Sequence, residues 1–210
     1  AWGEDGRVRI WCTNQGAQQA KGEIAGWLGI DPAQVHLITP DVGGGFGAKI
    51  GADPEYALIA GLARHVGRPV RWAENRSENL IGMLHGRAQD QVVTIGGRRD
   101  GTIEAYSLVV DQDCGSYPRI GTVLPTLTML MAPGVYGFPR VHAQARALAT
   151  STTSIGAYRG AGRPEATAAL ERAIDLFAAE IGMDPAEVRR RNLLPAFNEP
   201  HTTPMGATYD

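Results

Sequence analysis

The densest run of glycines in the sequence, Gly43-Gly44-Gly45-Phe46-Gly47, is the first segment whose composition could do chemistry. Consecutive glycines remove side-chain bulk, so backbone N–H groups can point at a ligand and approach it closely. Phe46 is the one bulky side chain of the run. The pattern favours a ligand-contacting backbone surface, and the alternative is a flexible turn between a strand and a helix.

A second loop, GAYRGAGR at residues 156–163, places Arg159 between small residues. A guanidinium in that setting can donate several N–H bonds to an anion or a polarised oxygen. Pro164 then opens a helix whose positive N-terminal end faces the same place. A solvated loop with two surface arginines is the alternative. Two small-residue loops that each precede a helix favour an anionic cofactor more than either loop alone.

Gln15 belongs to a third polar segment, Thr13-Asn14-Gln15-Gly16, between a predicted strand and a predicted helix. A side-chain amide can donate through its nitrogen and accept through its oxygen. Polar residues are common at strand ends, so this segment by itself indicates no particular function.

The glycine run also fits a dinucleotide-binding fingerprint, because Gly43-x-Gly45-x-x-Ala48 matches G-x-G-x-x-G/A after a strand. Glu74 could then supply the ribose-binding acid. A Rossmann-type NAD-binding domain is therefore the alternative function. It requires a helix that begins within residues 45–49, whereas Asp53-Pro54 predicts a later helix start.

Strands and helices intermix along the chain without regular βαβ repetition, which predicts an α+β fold with mixed sheets. Strands are predicted at residues 7–12, 35–39, 69–74, 92–95, 102–110 and 141–148. Helices are predicted at 17–28, from Asp53-Pro54 to residue 66, from Pro164 to residue 181, and after Asp184-Pro185. The second helix is apolar on nearly every side and is expected to be buried, whereas residues 114–139 are expected to be irregular.

The composition excludes several classes of function. A formal charge of −2 gives no general attraction to nucleic acid. Two cysteines, Cys12 and Cys114, cannot form a disulfide scaffold, a four-cysteine zinc site or an iron–sulfur cluster. No apolar run is long enough to span a membrane, and no signal peptide precedes the first strand, so a cytoplasmic location is expected. The abrupt start leads us to expect a fragment or split subunit over residues 1–210, with lobes at about 1–110 and 111–210.

The three polar segments, in this order, resemble the large subunit of the molybdenum hydroxylases, the family of xanthine dehydrogenase, aldehyde oxidase and aerobic carbon monoxide dehydrogenase. The resemblance rests on DVGGGFGAK at 41–49, on AYRGAGRPEA at 157–166, and on Gln15, 31 residues before Phe46. It extends along the whole chain to DPAEVRRRNLL at 184–194.

The resemblance implies a molybdopterin cofactor, in a form that includes the cytosine dinucleotide in part of the family, with oxo, sulfido and hydroxo ligands on molybdenum. Gln15 would hydrogen-bond to an oxo group of the molybdenum or to the pterin side of the cofactor. The loop of Gly44, Gly45, Phe46 and Gly47 would lie against the apical oxo group. The second loop would line the opposite side through Ala157, Arg159 and Gly160. No side chain of this chain would ligate the metal.

The implied reaction hydroxylates a C–H bond of a small-molecule substrate with oxygen from water, and electrons leave through iron–sulfur clusters and FAD on partner subunits. The family's catalytic base is a glutamate in a Gly-Glu motif, which has no counterpart among the acids of this chain. We therefore expect this chain to lack a catalytic residue and to act only with the remaining part of the large subunit, an iron–sulfur subunit and a flavin subunit.

Two positions depart from particular branches of the family. Xanthine-type enzymes carry a glutamate where this sequence has Ile50, and carbon monoxide enzymes carry a copper-holding cysteine where it has Gly160. The expected substrates are therefore small aldehydes or N-heteroaromatic compounds.

Overall fold

A computed structural model describes residues 1–210 and divides them into two compact units, Ala1–Met83 and Leu84–Asp210. The sequence analysis placed this division near residue 110. That residue lies inside a strand, Ile103–Asp113, which is paired along both edges within the second unit. Because unit boundaries fall where few contacts cross, a central strand cannot contain one.

The first unit has two strands and three α-helices: β1 Val8–Trp11, α1 Ala17–Leu28, β2 Val35–Ile38, α2 Pro54–Val66 and α3 Arg76–Gly82. Strands β1 and β2 pair in parallel, with Val8 opposite Val35 and Trp11 opposite Ile38. Helix α1 lies between them in sequence and packs against β2. In a parallel pair both carboxyl ends lie at the same edge, so the loops that follow β1 and β2 begin side by side.

Helix α1 has the predicted bounds because buried Ala20 and Ile24 lie on one face and Gly29 ends the helix at a φ of 64°. Helix α2 begins at Pro54, as predicted, but it is not buried all round. Its Ala60 is in the core, whereas Leu58 is 61% exposed. The helix packs on one side only, so the apolar composition of its outer face does not produce burial.

At the end of the first unit one prediction was wrong and one helix was missed. Residues 69–74 form no strand, because no other strand lies beside them to accept their backbone hydrogen bonds. Helix α3 follows them and was not predicted. Its signal is a capping box, in which Asn75 accepts from the Glu78 amide and Glu78 accepts from the Asn75 amide.

The second unit contains a three-stranded sheet in the order β3-β4-β5, with β3 Gln89–Gly97, β4 Ile103–Asp113 and β5 Arg140–Leu148. Strands β3 and β4 form the predicted hairpin around Asp100-Gly101, and β5 runs parallel to β4. Three helices and a small hairpin complete the unit: α4 Leu124–Leu130, α5 Arg163–Ile181, α6 Pro185–Asn192, β6 His201–Thr202 and β7 Thr208–Tyr209.

The core of the second unit lies between the sheet and α5. It contains Leu108 and Val110 from β4 and Leu170, Ile174 and Phe177 from α5. The apolar side of α5 therefore faces the sheet. Helix α4 contradicts the prediction that residues 114–139 are irregular; Pro125 is compatible with it because proline fits the first turn of a helix.

Mixed parallel and antiparallel pairing, with helices packed on the sheets, confirms the α+β class. None of the helices combines the length and the apolarity needed to cross a bilayer.

Candidate functional site

The glycine loop follows β2 and lies beside the Gln15 segment, which follows β1. The Gln15 side-chain oxygen accepts hydrogen bonds from the backbone amides of Gly47, at 2.9 Å, and of Lys49, at 3.1 Å. The Gln15 backbone amide donates in turn to the Lys49 carbonyl at 2.8 Å. Gln15 therefore holds the second half of the loop in a defined conformation.

These contacts also determine which way the Gln15 amide points. Only its oxygen can accept from two N–H donors, so the Nε2 group is directed elsewhere. Nε2 has no hydrogen-bond partner within the chain, and the residue is exposed. Gln15 thus combines a structural acceptor with a donor that is available to a ligand oxygen.

Gly45 allows this close approach. A Cβ atom at position 45 would overlap the Cγ, Cδ and Oε1 atoms of Gln15. The φ of Gly45 lies outside the left-handed region, so the glycine is needed for space rather than for backbone conformation.

The first half of the loop presents unsatisfied donors. The backbone amides of Gly44 and Gly45 donate to no acceptor within the chain. Phe46 has a φ of 55°, which is unusual for a bulky residue, and its side chain is 57% exposed. Amides without an acceptor in the chain, beside an exposed ring and on a strained backbone, are typical of a functional loop.

Two residues fix the ends of the loop. Asn14 is buried; its Oδ1 accepts from the Gly16 amide at 2.6 Å and its Nδ2 donates to the Gly51 carbonyl at 2.5 Å. The Lys49 ammonium donates to the Val42 carbonyl at 2.9 Å. Sequence reasoning assigned no role to Asn14, although an Asn three residues before the first residue of α1 was an available signal for such a turn.

Two groups near the loop, the Cys12 thiol and the Tyr56 hydroxyl, have raised pKa values, in part because Asp53 lies at the start of α2. Burial, and then the charge of Asp53, raises the pKa of the Cys12 thiol to about 11. The same two causes raise the pKa of Tyr56, whose hydroxyl donates to the Thr13 carbonyl at 2.9 Å. Both groups stay protonated at neutral pH, so neither is a reactive nucleophile there.

The arginine loop belongs to the second unit and leads directly into α5. Ala157 is buried, whereas Arg159 is exposed. The loop is closed by hydrogen bonds from the Ala161 amide to the Tyr158 carbonyl, at 2.7 Å, and from the Arg163 amide to the Gly160 carbonyl, at 3.2 Å. Gly160 has a φ of 97°, and a Cβ there would lie 2.5 Å from the Pro164 ring.

Arg87 lies outside this loop and contacts it through its side chain. The sequence analysis did not single out this residue. Its guanidinium donates to the Glu165 carboxylate at 3.1 Å and to the Arg159 carbonyl at 3.0 Å. It also lies 4.9 Å from the centroid of the Tyr158 ring. No local pattern singles out this arginine, because its partners lie more than 70 residues away in the sequence.

The predicted site residues therefore form two clusters. Gln15 lies with the loop of Gly44, Gly45, Phe46 and Gly47 in the first unit. Ala157, Arg159 and Gly160 lie together before α5 in the second. No group of three or more His, Cys, Asp or Glu side chains is placed to hold a metal ion directly.

The dinucleotide fingerprint lacks its required geometry. No helix begins within residues 45–49, since α2 starts at Pro54. Glu74 does not end a strand, and its carboxylate accepts a hydrogen bond from Asn79 at 2.6 Å.

Comparison with known proteins gives consistent matches along the chain. The model of the family described as "Molybdopterin cofactor-binding domain" matches residues 1–193. The chain is 32% identical over 213 residues to the nicotine 6-hydroxylase large subunit of Paenarthrobacter nicotinovorans, which covers 100% of this chain and 26% of that protein. It is 31% identical over 211 residues to the carbon monoxide dehydrogenase large chain of Hydrogenophaga pseudoflava, which covers 98% and 26% respectively.

The crystal structure of quinoline 2-oxidoreductase from Pseudomonas putida 86 is similar to this chain, with a TM-score of 0.91 and 33% identity. The similarity covers 98% of this chain and 26% of that one. The chain thus spans about a quarter of the length of these relatives.

Proposed function

Because the chain belongs to the molybdopterin cofactor-binding domain family of the molybdenum hydroxylases, we propose that it supplies part of the molybdopterin site of such an enzyme. The observation that carries this proposal is the set of donors around the glycine loop. The amides of Gly44 and Gly45 and the Nε2 group of Gln15 are all without an acceptor in the chain.

These donors fit an oxygen-rich, anionic group. Backbone amides and a neutral side-chain amide stabilise oxygen atoms by hydrogen bonding, and no carboxylate lies between Gly43 and Gly47 to repel them. The overlap that any side chain at Gly45 would cause keeps the backbone accessible. In this role Gln15 has two functions: its oxygen shapes the loop and its nitrogen binds the cofactor.

We propose that the arginine loop, in the second unit, offers a positive charge to an anionic group. Arg159 lies ahead of α5, a helix of 19 residues whose N-terminal end carries a partial positive charge. Buried Ala157 and close-packed Gly160 restrict the backbone on both sides of Arg159. We propose that this loop orients the cofactor or an anionic substrate group, while the metal receives no direct side-chain ligand.

When bound, the cofactor supplies the oxidation of a substrate C–H bond with oxygen from water. The residues of this chain hold and orient, and none of them is assigned as the catalytic base. We propose that the base belongs to the remaining part of the large subunit, and that iron–sulfur and flavin subunits remove the electrons. On this proposal the 210 residues alone are inactive, and the enzyme is cytoplasmic.

Two positions support an aldehyde or N-heteroaromatic substrate. Ile50 offers no carboxylate for purine recognition. Gly160 has no side chain, and a Cβ in its place would meet Pro164, so this backbone does not accommodate a copper-holding cysteine without a shift. Relatives named for nicotine and quinoline agree with a heteroaromatic substrate. The NAD-binding alternative is disfavoured because α2 begins too late to place its N-terminus against a pyrophosphate.

The proposal is tested on the complete enzyme complex, purified from cells that make molybdopterin. We expect molybdenum and a pterin, with a cytosine nucleotide released by acid hydrolysis. Replacement of Gln15 by Leu should lower the molybdenum content severalfold, whereas Gly61→Ala, in an open position of α2, should not change it. The proposal would be contradicted by a complex without molybdenum, if the same cells insert the molybdopterin cofactor into other molybdenum hydroxylases.

A further inference from the structure

Arg87 connects three parts of the second unit through one side chain. Its two terminal nitrogens bind the Glu165 carboxylate and the Arg159 carbonyl, and its guanidinium lies over the Tyr158 ring. A planar guanidinium is suited to this task, since it can donate in two directions and still stack on an aromatic face. Its contacts fix both the backbone and a side chain of the arginine loop.

The charges of this cluster are locally balanced. Glu165 is only 8% exposed, so its carboxylate requires a partner, and Arg87 is that partner. Glu165 also lies in the first turn of α5, where a negative charge is favourable. The positive charge of Arg87 is thereby balanced by the Glu165 carboxylate.

The backbone that carries Arg87 is strained in a way that serves this contact. Arg87 and Ala88 have φ values of 76° and 55°. The buried Gln112 side chain holds this conformation by donating to the Arg87 carbonyl at 2.9 Å and to the Ala88 carbonyl at 3.3 Å. Unfavourable backbone conformations that a buried side chain maintains are concentrated at functional sites.

Gly86, the residue before Arg87, also permits close contact with the arginine loop. A Cβ on Gly86 would lie 2.5 Å from the Tyr158 Cβ. Because Gly86 has no Cβ atom, the backbone at this position can pass close to Tyr158 of the arginine loop.

We propose that Arg87 is a positioning residue, which fixes the Arg159 carbonyl and the Tyr158 ring so that residues 157–160 have their binding conformation before the cofactor arrives. One consequence of this inference, that Arg87 helps to retain the cofactor, rests on the proposed function. Its structural part concerns the loop alone and is measured separately.

The test uses the complete complex in its cofactor-free form, with hydrogen–deuterium exchange at the Ala161 and Arg163 amides that close the loop. Arg87→Met should accelerate their exchange on the order of tenfold or more, because hydrogen bonds from a charged donor are lost. Arg87→Lys should give an intermediate rate, since an ammonium has no planar fork. The double variant Arg87→Met/Glu165→Gln leaves no unpaired buried charge, and it should fold while keeping the fast loop exchange.

The matched control is Arg146→Met, which breaks an exposed ion pair between Arg146 on β5 and Asp111 on β4. It should leave loop exchange unchanged. Unchanged exchange at Ala161 and Arg163 in the Arg87 variants, or an equal acceleration throughout β3–β5, would overturn the inference.

A second readout connects the loop to the cofactor. Loaded complexes of Arg87→Met should contain severalfold less molybdenum than the wild type, and Arg87→Lys should recover part of it. Full molybdenum content in Arg87→Met would overturn the inference even with fast loop exchange. If the wild-type complex itself contains no molybdenum, the proposed function fails, and the exchange result still decides the positioning of the loop.

Discussion

The contact between Gly45 and Gln15 gives the sharpest prediction. In Gly45→Ala the new methyl group must displace the Gln15 side chain, because its Cβ would overlap three Gln15 atoms. The displaced side chain can no longer accept from the Gly47 and Lys49 amides. Backbone strain does not contribute, since the φ at position 45 suits alanine.

The magnitude follows from the two lost hydrogen bonds. At about 1 kcal/mol each, they stabilise the loop by about 2 kcal/mol, which corresponds to roughly thirtyfold faster amide exchange. Gln15→Ala removes the same acceptor and should accelerate exchange of the same two amides by the same factor. The double variant should match either single variant, because the acceptor can be lost only once.

The assay is hydrogen–deuterium exchange of the Gly47 and Lys49 amides, with Gly61→Ala as a control. A Cβ at Gly61 has nothing within 4 Å, so that variant should leave the loop unchanged. If Gly45→Ala left both amides protected, or if its effect added fully to that of Gln15→Ala, displacement of Gln15 would not be the mechanism.

Three further predictions follow from single contacts. Lys49→Met should weaken the loop by about 1 kcal/mol, measured as faster proteolysis of residues 41–49, because it removes the 2.9 Å bond to the Val42 carbonyl; an unchanged cleavage rate would refute this role. Alkylation of Cys12 by iodoacetamide should be slow at pH 8 and should rise until about pH 11, because burial raises its pKa and only the thiolate reacts; a rate that levels off near pH 9 would contradict this. Gly160→Ala should destabilise the second unit by about 1–3 kcal/mol and by more than Gly182→Ala, since both have positive φ but only position 160 also meets Pro164; equal losses in thermal unfolding would exclude the steric contribution.

The sequence predicted the elements whose signals are local. Helix α1 follows from its apolar periodicity and Gly29, and the β3–β4 hairpin follows from Asp100-Gly101. The same reasoning failed at residues 69–74, where strand-forming composition had no neighbouring strand. It also failed at α4, whose proline and threonines indicated a loop although the turn was helical.

In the candidate site, too, residues with a local signal could be predicted, whereas contacts between distant segments could not. Glycine runs and an isolated arginine are recognisable in sequence because their chemistry depends on residue type, so Gly44, Gly45 and Arg159 could be named in advance. Arg87 could not, and neither could the contact of Asn14 with Gly51, because only folding brings these partners near.

By itself, the sequence determined the α+β class, most of the helices, and the two small-residue loops on which the resemblance rests. The tertiary structure decided how each loop is held. Parallel pairing of β1 and β2 brings Gln15 to the glycine loop. The ion pair with buried Glu165 holds Arg87 against the arginine loop. The physical reason is that propensity and residue type act over a few neighbours, whereas hydrogen bonds between distant segments form only after backbone pairing and burial have fixed both partners.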